Sequence, residues 1–207
     1  MSRLFAALAG AAAAFALSGA AHAQGATPPG PTVVRGRVVS LADNVLTVKP
    51  DKGAPEKVAL ASTWTVAVMK PVAIDAIQPG SFIGTTEMPR GEGMGRSLEV
   101  HVFPPGVKMG EGHYGWDLKP GSMMTNGTVG KVVAGKRGSR ELDVAYNGTG
   151  MRHIVVPAKV PVVQITGGTR ELVKVGTPVF MVVRKAPDGS MAAASVSVGE
   201  NGAAPPM

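Results

Sequence analysis

The sequence predicts an all-β chain: two tandem small Greek-key, OB-like β-barrels joined by a structured linker rich in Gly, Met and aromatic residues. Three observations carry this. Apolar and polar residues alternate with period two through most of the chain, and no stretch holds a helical period beyond one or two turns. Gly and Pro, 28 and 17 residues, recur as turn punctuation. The second half also repeats the first. "GRVV" at Gly36–Val39 matches "GKVV" at Gly130–Val133, and "KVAL" at Lys57–Leu60 matches "HIVV" at His153–Val156. Gly80 matches Gly176, and "LEVHV" at Leu98–Val102 matches "ASVSV" at Ala194–Val198. From Lys57 onward the offset is a constant 96 residues, an ungapped register that indicates a tandem duplication.

In chain order, residues 1–23 read as a signal peptide. Arg3 is the basic region, "LFAALAGAAAAFAL" the apolar core and "AHA" at 21–23 the cleavage site, which predicts export to a bacterial periplasm after cleavage behind Ala23. "QGATPPGP", residues 24–31, is an expected disordered lead-in. "TVVRGRVVSLADNVLTVKP" is two β-rich runs around "ADN", a hairpin signal. "EKVALASTWTVAVMK" continues with β-branched alternation. "IDAIQPG" is a short turn placed to plug one barrel end, before a further strand. "SLEVHVF" turns Val100 and Val102 inward and Glu99 and His101 outward. The first barrel is then 32–103, the linker 104–126, the second barrel 127–199, and 200–207 an expected disordered tail. Sheets this small leave two edges unpaired unless they close, which favours barrels; an open, sandwich-like roll is the alternative.

Composition excludes several classes. The chain has no cysteine, so an exported protein of this kind is held by its core and not by disulfides. After the signal peptide no apolar run approaches the ~20 residues of a transmembrane helix. The formal charge of +7 fits an anionic partner or lipid headgroups, but without a dense Lys/Arg cluster it also fits ordinary solubility. Nucleic acid is not an expected partner, because aromatic stacking platforms are few. "GKVVAGK" at Gly130–Lys136 mimics a phosphate loop but is followed by Arg137 and sits in a strand. No G-x-S-x-G elbow and no cysteine nucleophile is present, so no enzyme activity is expected.

The linker holds the unusual chemistry. "GEGHYGWD", residues 110–117, gathers His, Tyr, Trp and two acids among three glycines. With "LEVHVFP" before it and "LKPGSMMTNGTVGKVV" after it, this stretch resembles an uncharacterised family of exported proteobacterial proteins with tandem small β-barrel domains. These carry Gly-His-x-x-Trp-Asp followed by Ser-x-Met-Thr-Asn and are often labelled as related to metal transport. Gly112-His113, Trp116-Asp117, Ser122 and Met124-Thr125-Asn126 fit that pattern. The resemblance implies a role in metal handling.

Two site readings follow from the residues. In the first, His113, Tyr114, Trp116, Asp117, Met124 and Asn126 form a structural clamp and interaction surface for an envelope protein partner. Trp116 buries against a barrel and Asp117 accepts hydrogen bonds from amides of the Lys119–Ser122 turn. In the second, His101, Met109, His113, Met123 and Met124 supply imidazole and thioether ligands, a soft set suited to copper. Convergence of His101 and His113, which lie on different elements, is the condition for that reading.

Overall fold

In a computed structural model of the protein, residues 30–207 are described. The expected signal peptide and most of the lead-in lie outside them. The described chain is all-β, with twelve strands and only single turns of 3-10 helix.

Strands β1 (Thr32–Ala42) and β2 (Val45–Lys49) form the expected hairpin. Asp43 and Asn44 make its two-residue turn at φ of 49° and 58°, a left-handed conformation these two side chains tolerate. β3 (Glu56–Pro71) runs unbroken for 16 residues. A 3-10 turn at Ile74–Ala76 leads to the hairpin of β4 (Phe82–Pro89) and β5 (Met94–Val102). In the linker, β6 (Gly112–Gly115) pairs with the first part of β7 (Met123–Ala134). β8 (Arg140–Tyr146) and β9 (Gly150–Val156) follow. Pro157 and Pro161, which cannot donate to a ladder, break the stretch equivalent to β3, and the chain re-enters as β10 (Val162–Gly168). A 3-10 turn at Arg170–Leu172 precedes β11 (Pro178–Lys185) and β12 (Met191–Gly199).

Several elements recur at the 96-residue offset. The 3-10 turns, β4 with β11, and β5 with β12 occupy the same repeat positions. The pairing is not sequential, however. β1, β2 and β3 close into a ring with β12 and β11, whereas β7, β8 and β9 close into a ring with β5 and β4. Each copy contributes three strands to one ring and its last hairpin to the other. Segments 32–103 and 127–199 are therefore two copies of one pattern, but neither closes a barrel from its own strands. At about 3.3 Å per residue the 16-residue β3 spans from its pairing with β2 to its pairing with β10, and in the second copy β9 and β10 together cover the equivalent path. β10 pairs antiparallel with β3 and parallel with β5, joining both rings into one sheet.

Each ring has its own apolar filling. Val34, Leu46, Val58, Trp64 and Val196 are among the residues filling the first, and Ile83, Val100, Leu142 and Ile154 among those filling the second. Just after each of the 3-10 turns Ile74–Ala76 and Arg170–Leu172 one apolar side chain enters a core: buried Ile77 packs with the second ring and its repeat equivalent, Val173, with the first. A third cluster lies outside both rings and includes Met69, Trp116, Met124, Val163, Phe180 and Met207. The segment 200–207, expected to be a disordered tail, instead turns back so that Met207 buries in this cluster.

Candidate functional site

A cleft of about 930 Å³ opens between the two rings. β3, β10, β11 and β12 supply one side; β5, β7 and the linker supply the other. The lining is mainly apolar, with a few polar groups, the composition of a ligand cleft.

The floor follows from strand register. His101 of β5 stands opposite Gly84 of β4, and Gly84 opposite Asn126 of β7. Lacking a side chain, Gly84 leaves room for both neighbours, since a methyl group there would overlap His101 Nε2 and Asn126 Oδ1. These two atoms consequently lie side by side. His101 is only 4% exposed and Glu99 1%. Both point outward from their ring, as alternation requires, but the other ring covers that face, so His101 is not the solvated strand residue its pattern suggests. Glu99 Oε1 accepts hydrogen bonds from the Thr86 amide at 2.8 Å and the Thr86 hydroxyl at 2.6 Å. Its Oε2 accepts from His101 Nδ1 at 3.2 Å. In the neutral ring that contact selects the Nδ1–H tautomer, whose Nε2 lone pair lies toward Asn126.

Asn126, 6% exposed, is oriented by its donors. Its amide nitrogen donates to Gly110 O at 2.9 Å and to the Tyr114 hydroxyl at 2.8 Å. Gly110, at φ 59°, turns its carbonyl toward both partners, and the Tyr114 hydroxyl also donates to it at 3.2 Å. Burial holds the Tyr114 phenol above its ordinary pKa, consistent with its donor role. Asn126 Oδ1 is left without a protein partner, as is Trp116 Nε1, and both are buried.

Trp116 packs on Phe180 of β11, ring centroids 6.2 Å apart, and beside Met124 and Met207. The expectation that this indole docks against the folded body holds. Asp117 does not cap the following turn. Ser122 closes that turn, accepting from the Lys119 amide through its hydroxyl and from the Trp116 amide through its carbonyl. Asp117 instead accepts both Nη groups of Arg35, which also donates through Nε to Met207 O at 2.6 Å. The hydrogen bonds from Arg35 hold the Asp117 carboxyl below its usual range.

His113 points to the other face of β6. Its Nδ1 lies 2.9 Å from Thr125 Oγ1 and 3.8 Å from Glu87 Oε1, and its ring stacks on Tyr146. Glu87 is fully buried and takes two hydrogen bonds from Arg152. Burial pushes the Glu87 carboxyl up against the opposing pull of Arg152. The His113 pKa is lowered to about 4, first by burial and then by the Arg152 charge, so its ring is neutral at neutral pH.

The five metal candidates therefore divide. His101, Met109 and Met124 line the cleft; His113 and Met123 do not. Met123 and Met124 are strand neighbours and face opposite ways, so the set does not converge on one point. Among the described residues no group of three or more His, Asp or Glu side chains is placed to hold an ion. Of the linker residues, Tyr114, Trp116, Met124 and Asn126 reach the cleft; His113 and Asp117 do not line it.

The sequence reading missed Gly84, Glu99, Arg35, Phe180 and Met207 as parts of this site. Only the Glu99-x-His101 spacing carried a signal, because it sets a carboxyl beside an imidazole on one strand face. No family model, curated protein or solved structure matches this chain.

Proposed function

We propose that the protein is an exported, periplasmic, non-enzymatic binding or adapter protein. The cleft between its two rings takes an apolar ligand, free or presented by an envelope partner, and the linker both clamps the rings and forms the wall of the cleft. One observation carries the reading: an apolar cleft of about 930 Å³ whose lining residues include two, Trp116 and Asn126, that bury a polar atom without a protein partner. Orphaned buried polar atoms are rare in native folds, and of the three among the described residues two belong to residues lining this cleft, the third being Glu87 Oε2.

The test is a fluorescence titration with the neutral apolar probe N-phenyl-1-naphthylamine. Saturable one-to-one binding is expected for the wild type, and its loss is expected in Ala194→Trp, which fills the cleft from β12. Binding that is absent, or that survives the filled cleft unchanged, contradicts the reading.

Copper binding is the second reading, now restricted to His101, Met109 and Met124. Its support is the Glu99 contact to His101 Nδ1, the arrangement that orients metal-ligating histidines. Saturable Cu(I) binding weakened by both His101→Ala and Met109→Ala is its expected signature; binding indifferent to both removes it.

A further inference from the structure

We infer that the cleft selects ligands bearing a primary ammonium group on an apolar body, with the ammonium held at the His101–Asn126 floor. This rests on the cleft being a ligand site.

Charge sorting is the first support. In a chain of formal charge +7, no Lys or Arg among the described residues lines the cleft, and Glu111 is the one acidic side chain among the described residues in the lining. Arg35, which sits over the lining rings of Trp116 and Phe180, is paired with Asp117 and bonded to Met207 O. A cation entering the cleft therefore meets little opposing charge.

The floor is the second support. His101 Nε2 and Asn126 Oδ1 are neighbouring acceptors over Gly84. His101 Nδ1 faces Glu99, the amide nitrogen of Asn126 donates to Gly110 O and Tyr114, and no protein donor among the described residues reaches Asn126 Oδ1. Two adjacent acceptors are best served by one group with several donors. An ammonium supplies three. Glu99, which accepts three hydrogen bonds directly behind His101, adds favourable charge. The rings of Phe103, Tyr114 and Trp116 line the same space, and aromatic faces attract cations.

Calorimetry at neutral pH with n-octylamine, n-octanol and octyltrimethylammonium tests this on the wild-type protein. Charge-assisted hydrogen bonds lead us to expect octylamine to bind about tenfold or more tighter than octanol. Octyltrimethylammonium, which cannot donate, should gain little over octanol. In His101→Phe the preference for octylamine should fall to about threefold or less, with octanol binding retained as the sign of an intact fold. Competition by an apolar peptide carrying one lysine separates the sources. Displacement stronger than that by octylamine assigns the ammonium to a partner's lysine, and weaker displacement assigns it to a free amine. Equal binding of octylamine and octanol overturns the inference while leaving the cleft as a ligand site. Equal binding of octylamine and octyltrimethylammonium, or full selectivity in His101→Phe, overturns the floor as its cause. Failure of all three compounds removes the underlying reading itself.

Discussion

Arg35 of β1 and Asp117 of the linker form a two-pronged ion pair, Nη1 to Oδ2 and Nη2 to Oδ1, each 2.8 Å. Asp117 is exposed, so the Coulomb energy of the pair is screened. Asp117→Asn should cost less than ~1 kcal/mol in urea denaturation. Arg35→Ala should cost more, about 1–2 kcal/mol, because it also removes packing over Phe180 and the bond to Met207 O. Since folding lowers the Asp117 pKa, the contribution of the pair is complete above the ordinary carboxylate range and is lost as pH falls through the folded value. Equal costs for the two variants would show that the ion pair alone fastens the linker.

Trp116→Ala removes the largest side chain of the cluster outside the rings and should cost about 3 kcal/mol. Limited proteolysis should then cut within the linker first. The two rings should nevertheless remain one cooperative unit, since β3 and β10 join them independently of the linker. Separate melting transitions in this variant would argue against the shared sheet.

His113 gives a pH signature. Its folded pKa of about 4 lies below the ordinary 6.5, so the unfolded chain takes up a proton in that window while the folded chain does not. Stability should therefore fall as pH drops from about 6.5 to 4 and level off below, by ~1–2 kcal/mol after allowance for the ring's partial exposure. Glu87 acts with the opposite sign: its raised pKa means that the folded state protonates first, and stability rises as pH falls through that value. Comparing wild type with His113→Gln by denaturation at pH 7.5 and pH 4.5 isolates the histidine. A variant with the same pH dependence as wild type would place His113 in an unperturbed environment.

Strands, turns and the duplication were legible because they are local or self-similar. Alternation marks a strand, Asp43-Asn44 marks its turn, and a fixed offset marks a repeat. Burial of Trp116 was legible from its size in a glycine-rich loop. Which strands pair was not, because the β4–β5 hairpin has equivalent partners in both copies, β1 and β3 in its own and β7 and β9 in the other, and nothing local distinguishes them. The same gap hid the cleft. Outward placement of Glu99 and His101 was correct for their strand, but only the exchanged arrangement covers that face with a second ring. Asp117 suits a turn cap as well as an ion pair, and the choice was made by Arg35, 82 residues away.

Strand exchange has its own test. A fragment of residues 24–104 holds β1–β3 and a β4–β5 hairpin that completes the other ring. It should be unfolded as a monomer at low concentration, or fold only as a dimer that exchanges hairpins, as circular dichroism and sedimentation would report. A stable folded monomer would mean that the copies close alone.

The most direct measurement is a proton–nitrogen NMR titration with n-octanol, following the two tryptophan indole N–H signals. Trp64 fills the first ring and Trp116 lines the cleft with its N–H unpartnered. A saturable shift of the Trp116 signal, with Trp64 unmoved and the shift abolished in Ala194→Trp, is the result expected of a ligand cleft between the rings. A Trp116 signal that stays in place, or that moves equally in the filled-cleft variant, contradicts it.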